Sequence, residues 1–370
     1  MTGLTLVNLA AVLLLAFANG SNDNAKGVAT LIGSRTLATR LAIALAAVAT
    51  LMGSVAAIFL AQTLLSRFTG KGLVADHVVA APAFATCVGL GAAATVLVAS
   101  RIGAPISTTH AIVGAIAGTG LAAGALNGST LLAVFVVPLV ASPLLAFVLA
   151  AIVYSLFRTA RLRMGVTHET CLCVDRRLVP VSVDAQGAMA VRDTGLRLRQ
   201  DQVEACRQTY AGRLVGLSAQ RCLDGCHLFS AGLLSFARGL NDTPKIAALM
   251  LAAGSWGGAV SNGAVGAGIL VGGLLAVRRV AGTMSHRITG MNDGQAFSAN
   301  LVSATLVTLA TLKFGVPVST THTSCGSLFG IGAVNGRARW RVVSGIVAGW
   351  ALTLPAAAAA AALAWALLGS

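Results

Sequence analysis

Ten residues near the start of the chain carry chemistry that an apolar segment does not need. Phe17-Ala18-Asn19-Gly20-Ser21-Asn22-Asp23-Asn24-Ala25-Lys26 holds a carboxylate, an ammonium and three amides. The chain writes the run again as Phe236-Ala237-Arg238-Gly239-Leu240-Asn241-Asp242-Thr243-Pro244-Lys245, with Phe, Ala, Gly, Asn, Asp and Lys matching in frame. A charged side chain at a bilayer centre costs about 2.5–3.5 kcal/mol on insertion scales. Two such runs, 219 residues apart, point to a duplicated working part. Gly20 and Gly239 precede the acids and Pro244 follows the second, so the helices there are expected to break and free backbone carbonyls. Asp23 and Asp242, with the amide oxygens of Asn22 and Asn241, then form an all-oxygen shell for a hard coupling cation such as sodium, or a proton site. The competing account is a polar cluster that only locks helices together. Lys26 and Lys245 lie three residues beyond each acid, on one face if helix continues. Each either neutralises its aspartate or offers a positive charge to an anion.

A second doubled motif follows each acid. Gly103-Ala104-Pro105-Ile106-Ser107-Thr108-Thr109-His110 recurs as Gly315-Val316-Pro317-Val318-Ser319-Thr320-Thr321-His322. Proline suits a helix entry and Ser or Thr caps it. Free N–H groups at a helix start, with Ser107, Thr108, Thr109, Ser319, Thr320 and Thr321 beside them, suit an oxyanion such as phosphate. The plain alternative is capping alone. His110 and His322 are either packing residues or proton relays. Ser107 or Ser319 with a histidine and Asp23 or Asp242 also suggests an intramembrane hydrolase, but a triad needs one nucleophile and this set is doubled. A passive anion channel gains nothing from paired acids.

The elements that must position these groups are membrane helices. Of 370 residues, 56% are hydrophobic and 10% charged, against about 25% charged in soluble chains. Ten apolar segments are expected, near Leu4–Ile32, Leu41–Leu65, Val79–Ser100, Ser107–Gly124 and Leu131–Phe157, then Leu228–Ala253, Val260–Val277, Ala296–Leu312, Val318–Val334 and Val342–Leu368. The fold class is therefore an all-α polytopic membrane protein. Its parts are a first membrane repeat at 1–157, a soluble insert at 158–226 and a second repeat at 227–370. Five segments per half make the repeats inverted, an architecture of secondary transporters. The segments flanking Pro105 and Pro317 are either full crossings or re-entrant hairpins.

The formal charge of +15 belongs to basic loops on the cytoplasmic face rather than to a nucleic-acid surface. With the N-terminus outside and the insert cytoplasmic, most arginines fall inside, and only Arg67, Lys71 and Lys313 fall outside. No basic stretch precedes the first apolar run, so a retained first helix is expected rather than a cleaved leader. The insert holds eleven Arg and seven of the eleven acids. Within it, Val179–Val183 and Met189–Val191 suggest a hairpin, and Arg197–Leu217 reads as more helical. Cys171, Cys173, Cys206, Cys222 and Cys226, with His168 and His227 nearby, either form a thiolate metal site or are ordinary reduced thiols.

The doubled Gly-x-Asn-Asp contexts, each followed by Pro-x-Ser-Thr-Thr-His, resemble the inorganic phosphate transporter (PiT) family over both membrane halves. The resemblance implies a symporter moving phosphate with sodium or protons in the cell (inner) membrane, without a cofactor and often as a homodimer. It also implies that the Asn-Asp and Ser-Thr-Thr runs of both halves line the site. Some relatives resemble sulfate permeases, which keeps sulfate as the alternative anion. The first copy departs from the common Gly-Ala-Asn-Asp-Val-Ala-Asn-Ala pattern, with lysine at position 26. Gln295 and Asn300 stand where the family often carries an acid.

Overall fold

Small residues and apolar runs build a helical bundle. The computed structural model describes residues 3–167, 169–183, 189–204, 217–253 and 257–369. It divides into two units, Met1–Tyr154 with His227–Ser370, and Ser155–Cys226.

The first unit is built mainly from ten helices. In the first half they are α1 (Gly3–Asp23), α2 (Thr39–Leu60), α3 (Phe84–Ile102), α4 (Thr108–Ala122) and α5 (Val137–Arg163). In the second they are α6 (Ala219–Ala252), α7 (Gly258–Leu275), α8 (Asp293–Leu309), α9 (Thr320–Asn335) and α10 (Trp340–Leu368). Seven of the described helices are long and apolar enough to cross a membrane, the first of them Thr5–Gly27. This is an all-α polytopic membrane fold. α4 and α9, with 15 and 16 residues, reach only about 22–24 Å at 1.5 Å per residue, short of a hydrocarbon core of about 30 Å. Outward faces stay apolar, as at Phe59, 77% exposed, and at Ile102 and Leu144, which suits lipid rather than water.

Glycine sets how closely the halves interlock. A Cβ added at Gly20 of α1 would sit 2.1 Å from Ile269 O of α7, and one at Gly239 of α6 would sit 2.1 Å from Thr50 O of α2. The reciprocal positions repeat the fit: a Cβ at Gly272 would lie 2.0 Å from Phe17 O, and at Gly53 2.0 Å from Phe236 O. Helix backbones can approach this closely only where no side chain intervenes. Gly20 and Gly239, expected to loosen their helices, act instead as contact points. The main apolar core draws on both halves, with Leu15, Val88 and Ile112 meeting Ile246, Leu249 and Ala357.

The break expected beside each acid is present in the first copy and absent from the second. The first apolar segment is not one helix to Ile32. α1 ends at Asp23, a 3-10 turn covers Asn24–Gly27, and a short helix runs Ala29–Gly33. The second copy is unbroken, because α6 continues through Pro244.

The second unit carries the departure from all-helical structure. β1 (Thr170–Val183) pairs antiparallel with β2 (Met189–Gln202), and β3 (Leu217–Ser218) adds to the other edge of β1. The hairpin is longer than the sequence suggests, and Arg197–Gln202, expected to be helical, lies in β2. The alternation Leu196, Leu198 against Arg197, Arg199 has a period of two, which belongs to a strand. The remainder of that expected helix, from 205 to 216, lies outside the described residues.

Candidate functional site

The Gly-x-Pro-x-Ser-Thr-Thr run is a helix stop and a helix start joined by five residues. Gly103 ends α3 in the left-handed region at φ 73°, and Gly315 does the same after α8 at φ 54°. Glycine takes that conformation without a Cβ clash. The carbonyls left open are closed behind it, since Ala104 N donates to Ala99 O and Val316 N to Ala310 O, both at 2.9 Å. Ser107 and Ser319 then cap α4 and α9, accepting from the backbone N of His110 at 3.1 Å and of His322 at 3.2 Å. Such a cap is worth about 1 kcal/mol. Neither serine Oγ is bonded to an imidazole ring; its bond here is to the backbone N of the histidine. The triad geometry needed for a hydrolase is therefore not formed at either serine.

The two helix starts meet. Thr109 Oγ1 of the first run donates to Val318 O of the second at 3.4 Å, and Thr321 Oγ1 donates to Ile106 O at 2.8 Å. The aspartates join the same cluster. Thr108 Oγ1 donates to Asp23 Oδ2 and Thr320 Oγ1 to Asp242 Oδ2, each at 3.3 Å. Asn19 Nδ2 lies between the acids, 3.1 Å from Asp23 Oδ2 and 3.4 Å from Asp242 Oδ2. The asparagines hold the loops: Ile106 N donates to Asn22 Oδ1 at 3.2 Å, Asn22 Nδ2 donates to Ala104 O at 3.0 Å, and Asn241 Nδ2 donates to Val318 O at 3.4 Å.

The lysines follow the same crossed plan. Lys26 Nζ bonds Asp23 Oδ1 and Thr321 Oγ1, and donates to Ile106 O at 2.8 Å. Lys245 Nζ donates to Thr109 Oγ1 at 2.8 Å and Val318 O at 2.6 Å, and lies 3.6 Å from Asp242 Oδ1. Each ammonium thus faces its own acid, its own half's loop carbonyl and the other half's threonine. The cluster is closed. Ser107, Thr108, Thr109, Ser319, Thr320, Thr321, both asparagines, both aspartates and both lysines are all buried, none more than 3% exposed.

The histidines stand apart from the acids' bonds. The His110 and His322 rings lie 4.4 Å apart, and His322 stacks on Trp350 at 4.0 Å. His322 Nδ1 donates to Leu139 O at 3.0 Å, and Trp350 Nε1 to Pro105 O at 3.1 Å. Gln295 caps α8 with Asn292 and donates to Tyr154. Asn300 donates to Thr30 Oγ1 at 2.8 Å, beside the break after α1.

Several contributors escaped the sequence reading. Arg238 sits at the frame position of Asn19, is 1% exposed, and donates from Nη2 to Asn24 Oδ1 at 3.0 Å and Thr50 Oγ1 at 2.6 Å. The signal was present, a polar side chain at the same place in both copies, but the two types differ. Ser100 and Thr311, bonded to Asn22 and Asn241, sit in apolar segments with nothing to mark them.

The model of the phosphate transporter family matches residues 19–361, nearly the whole chain. The chain belongs to this family. Curated relatives agree. A probable low-affinity inorganic phosphate transporter of Rhizobium meliloti (strain 1021) is 30% identical, over 97% of this chain and 95% of its own. A protein of the same description from Bacillus subtilis (strain 168) is 28% identical, over 99% and 97%. A solved structure titled the sodium-dependent phosphate transporter aligns with 100% of this chain and 99% of its own at a TM-score of 0.75 and 20% identity, a likeness of fold. This family member is a membrane transporter and not an enzyme.

The cysteines of the second unit arrange differently from the sequence expectation. Cys173 is disulfide-bonded, so reduced thiols do not describe all five. Cys171, Cys222 and Cys226 are free. His227 belongs to the first unit, its Nε2 3.1 Å from Thr30 Oγ1. Among the described residues no three His, Cys, Asp or Glu side chains gather as a metal site requires; Cys206 and His168 lie outside them.

Proposed function

We propose that the chain carries inorganic phosphate across the cell membrane together with a monovalent cation, sodium or a proton, and that phosphate binds where the two Ser-Thr-Thr runs meet. The observation that carries this is the crossed pairing of two helix starts, Thr109 with Val318 O and Thr321 with Ile106 O. A helix start offers unpaired N–H groups and the positive end of its dipole. Two of them, with six hydroxyls, suit the acceptor oxygens of phosphate. Lys26, Lys245 and Arg238 against Asp23 and Asp242 leave the cluster with one net positive charge, which favours an anion. Asn22 and Asn241 hold the runs in place. Asp23 and Asp242 answer to the coupling cation, and His110 and His322 back the runs as packing partners. No cofactor takes part.

The closed cluster also favours alternating access, because phosphate reaches it only when the halves part. Five segments per half support an inverted arrangement of 1–157 and 227–370 about this point, joined by the insert 158–226. The short α4 and α9 support re-entrant hairpins at Pro105 and Pro317 rather than full crossings. Arginine placement supports an outside N-terminus and a cytoplasmic insert. Assembly as a homodimer is part of the same proposal.

Purified protein in proteoliposomes should accumulate radiolabelled phosphate when an inward sodium or proton gradient is imposed. Accumulation indifferent to both gradients refutes symport. Sulfate at excess should leave uptake largely intact; full competition would make sulfate the better substrate class.

A further inference from the structure

The lysines do more in this geometry than balance charge. An ammonium has three N–H donors and no acceptor. At Lys26 all three directions are taken, by Asp23 Oδ1, Ile106 O and Thr321 Oγ1. At Lys245 two are taken, by Thr109 Oγ1 and Val318 O, and Asp242 Oδ1 stands 3.6 Å away as its ion-pair partner. No N–H is left over for an anion at Lys26. Each set is one carboxylate, one carbonyl and one hydroxyl oxygen, the hard-oxygen ligand types that a small cation takes. Both threonine hydroxyls direct their own hydrogen to the carbonyl of the same set, Thr321 to Ile106 O and Thr109 to Val318 O. Their lone pairs are thereby turned to the ammonium. The sets are 1–2% exposed at the lysines, so neither is a surface pair screened by water. Each also joins the halves, since its hydroxyl comes from the opposite one.

From this we propose that Lys26 and Lys245 are tethered cations filling two oxygen cages, and that the protein therefore transports phosphate without sodium bound at either. The inference rests on the phosphate-transport reading and narrows it to a sodium-independent carrier. A lysine that moves with its helix keeps the acids neutralised through the cycle, where a carrier with empty cages must recruit a free cation each time. Chain-borne charge also ties the two halves together in the closed state, because each cage breaks when they part.

The test uses the full chain in proteoliposomes. With sodium replaced throughout by choline, the wild-type protein should take up radiolabelled phosphate under an inward proton gradient as fast as in sodium. Lys26→Asn and Lys245→Asn each leave an uncharged amide and an empty cage. Each should become about tenfold faster in sodium than in choline, the scale of one coupled ligand acting on another. A second readout does not need transport: the melting temperature of the detergent-solubilised variants should rise in sodium chloride over choline chloride, and that of the wild type should not. Wild-type uptake that requires sodium, or wild-type melting that rises with sodium, overturns the proposal and leaves phosphate transport standing. Variants whose phosphate KM rises equally in both salts also overturn it, because the lysines would then be anion ligands. No phosphate uptake by the wild type under either gradient overturns the transport reading and this inference with it.

Discussion

The two Asn-Asp runs share six of ten residues yet are built differently one turn away from the acids. In the first copy the helix stops at Asp23 and a 3-10 turn carries Lys26. In the second an unbroken helix carries Asp242, Pro244 and Lys245. The lysines and threonines nevertheless have corresponding partners in both, although Lys26 hydrogen-bonds its acid and Lys245 stands 3.6 Å from its own. What differs is the polar residue ahead of the glycine. Asn19 reaches the two carboxylates, whereas Arg238 reaches away from them to Asn24 and Thr50. Asn24 also donates to Gly273 O at 3.2 Å and Ile43 O at 3.4 Å. A side chain that bonds backbone carbonyls of neighbouring helices competes with its own helix, which accounts for the break at this position. The pairing that spans the halves is duplicated, and the asymmetry sits where the chain folds back around Arg238.

This contrast can be broken in order of expected size. The largest effect belongs to the acids. Asp23→Asn leaves the Lys26 ammonium buried beside a neutral amide, and losing one partner of a buried pair costs roughly 3–5 kcal/mol. Asp242→Asn should cost less, because Lys245 stands 3.6 Å from its acid and has two shorter bonds elsewhere. Thermal unfolding in detergent and gradient-driven phosphate uptake should both rank the first variant as worse. Equal losses would mean that the lysine bonds do not differ between copies.

Next comes Arg238→Asn, which makes the second run match Asn19 in type. It takes a charged hydrogen bond from Asn24 Oδ1 and from Thr50 Oγ1, which keeps only its bond to Ser235 O, at about 1.5–3 kcal/mol each. Asn19→Ala also removes charge-assisted bonds, to Asp23 and Asp242, but at 3.1 and 3.4 Å they are longer than those of Arg238 and should shift the melting temperature less. A reversal of that order would place the structural weight on the first copy.

Gly20→Ala and Gly239→Ala should behave alike, since both would force a methyl to 2.1 Å from a carbonyl oxygen. Overpacking of this kind costs about 1–3 kcal/mol. Markedly unequal melting shifts would show that the reciprocal helix contacts are not equivalent. The smallest effect is expected from Pro244→Ala. It returns an N–H to a helix that is already continuous, so stability should hold or rise by under about 1 kcal/mol. A large loss would show that the missing bond at Leu240 O has a use.

Much of this molecule was open to inspection before any coordinates. The membrane class followed from apolar runs too long for a soluble core, and most segment bounds lie within a few residues of the helices, although α6 starts earlier than expected, at Ala219. The stop-and-start character of the Pro-x-Ser-Thr-Thr runs was readable because glycine, proline and serine each act on their own backbone. The break after Asp23 was misplaced in extent, and Arg197–Gln202 was given the wrong period, because both depend on partners. Asn24 leaves helix for carbonyls on α2 and α7, and Arg197 pairs in register with Asp175. Ser100 and Thr311 were invisible as contributors for the same reason.

Taken alone, the amino-acid order determined that polar groups would be kept inside a membrane, and in duplicate. Lipid penalises charge so heavily that a repeated aspartate and lysine there cannot be incidental. Tertiary structure alone decided whom each charge would meet. The partners of Lys26 lie 80 and 295 residues away, and no local propensity spans that distance. Only close approach of helix backbones at their glycines brings one half's threonine onto the other half's lysine.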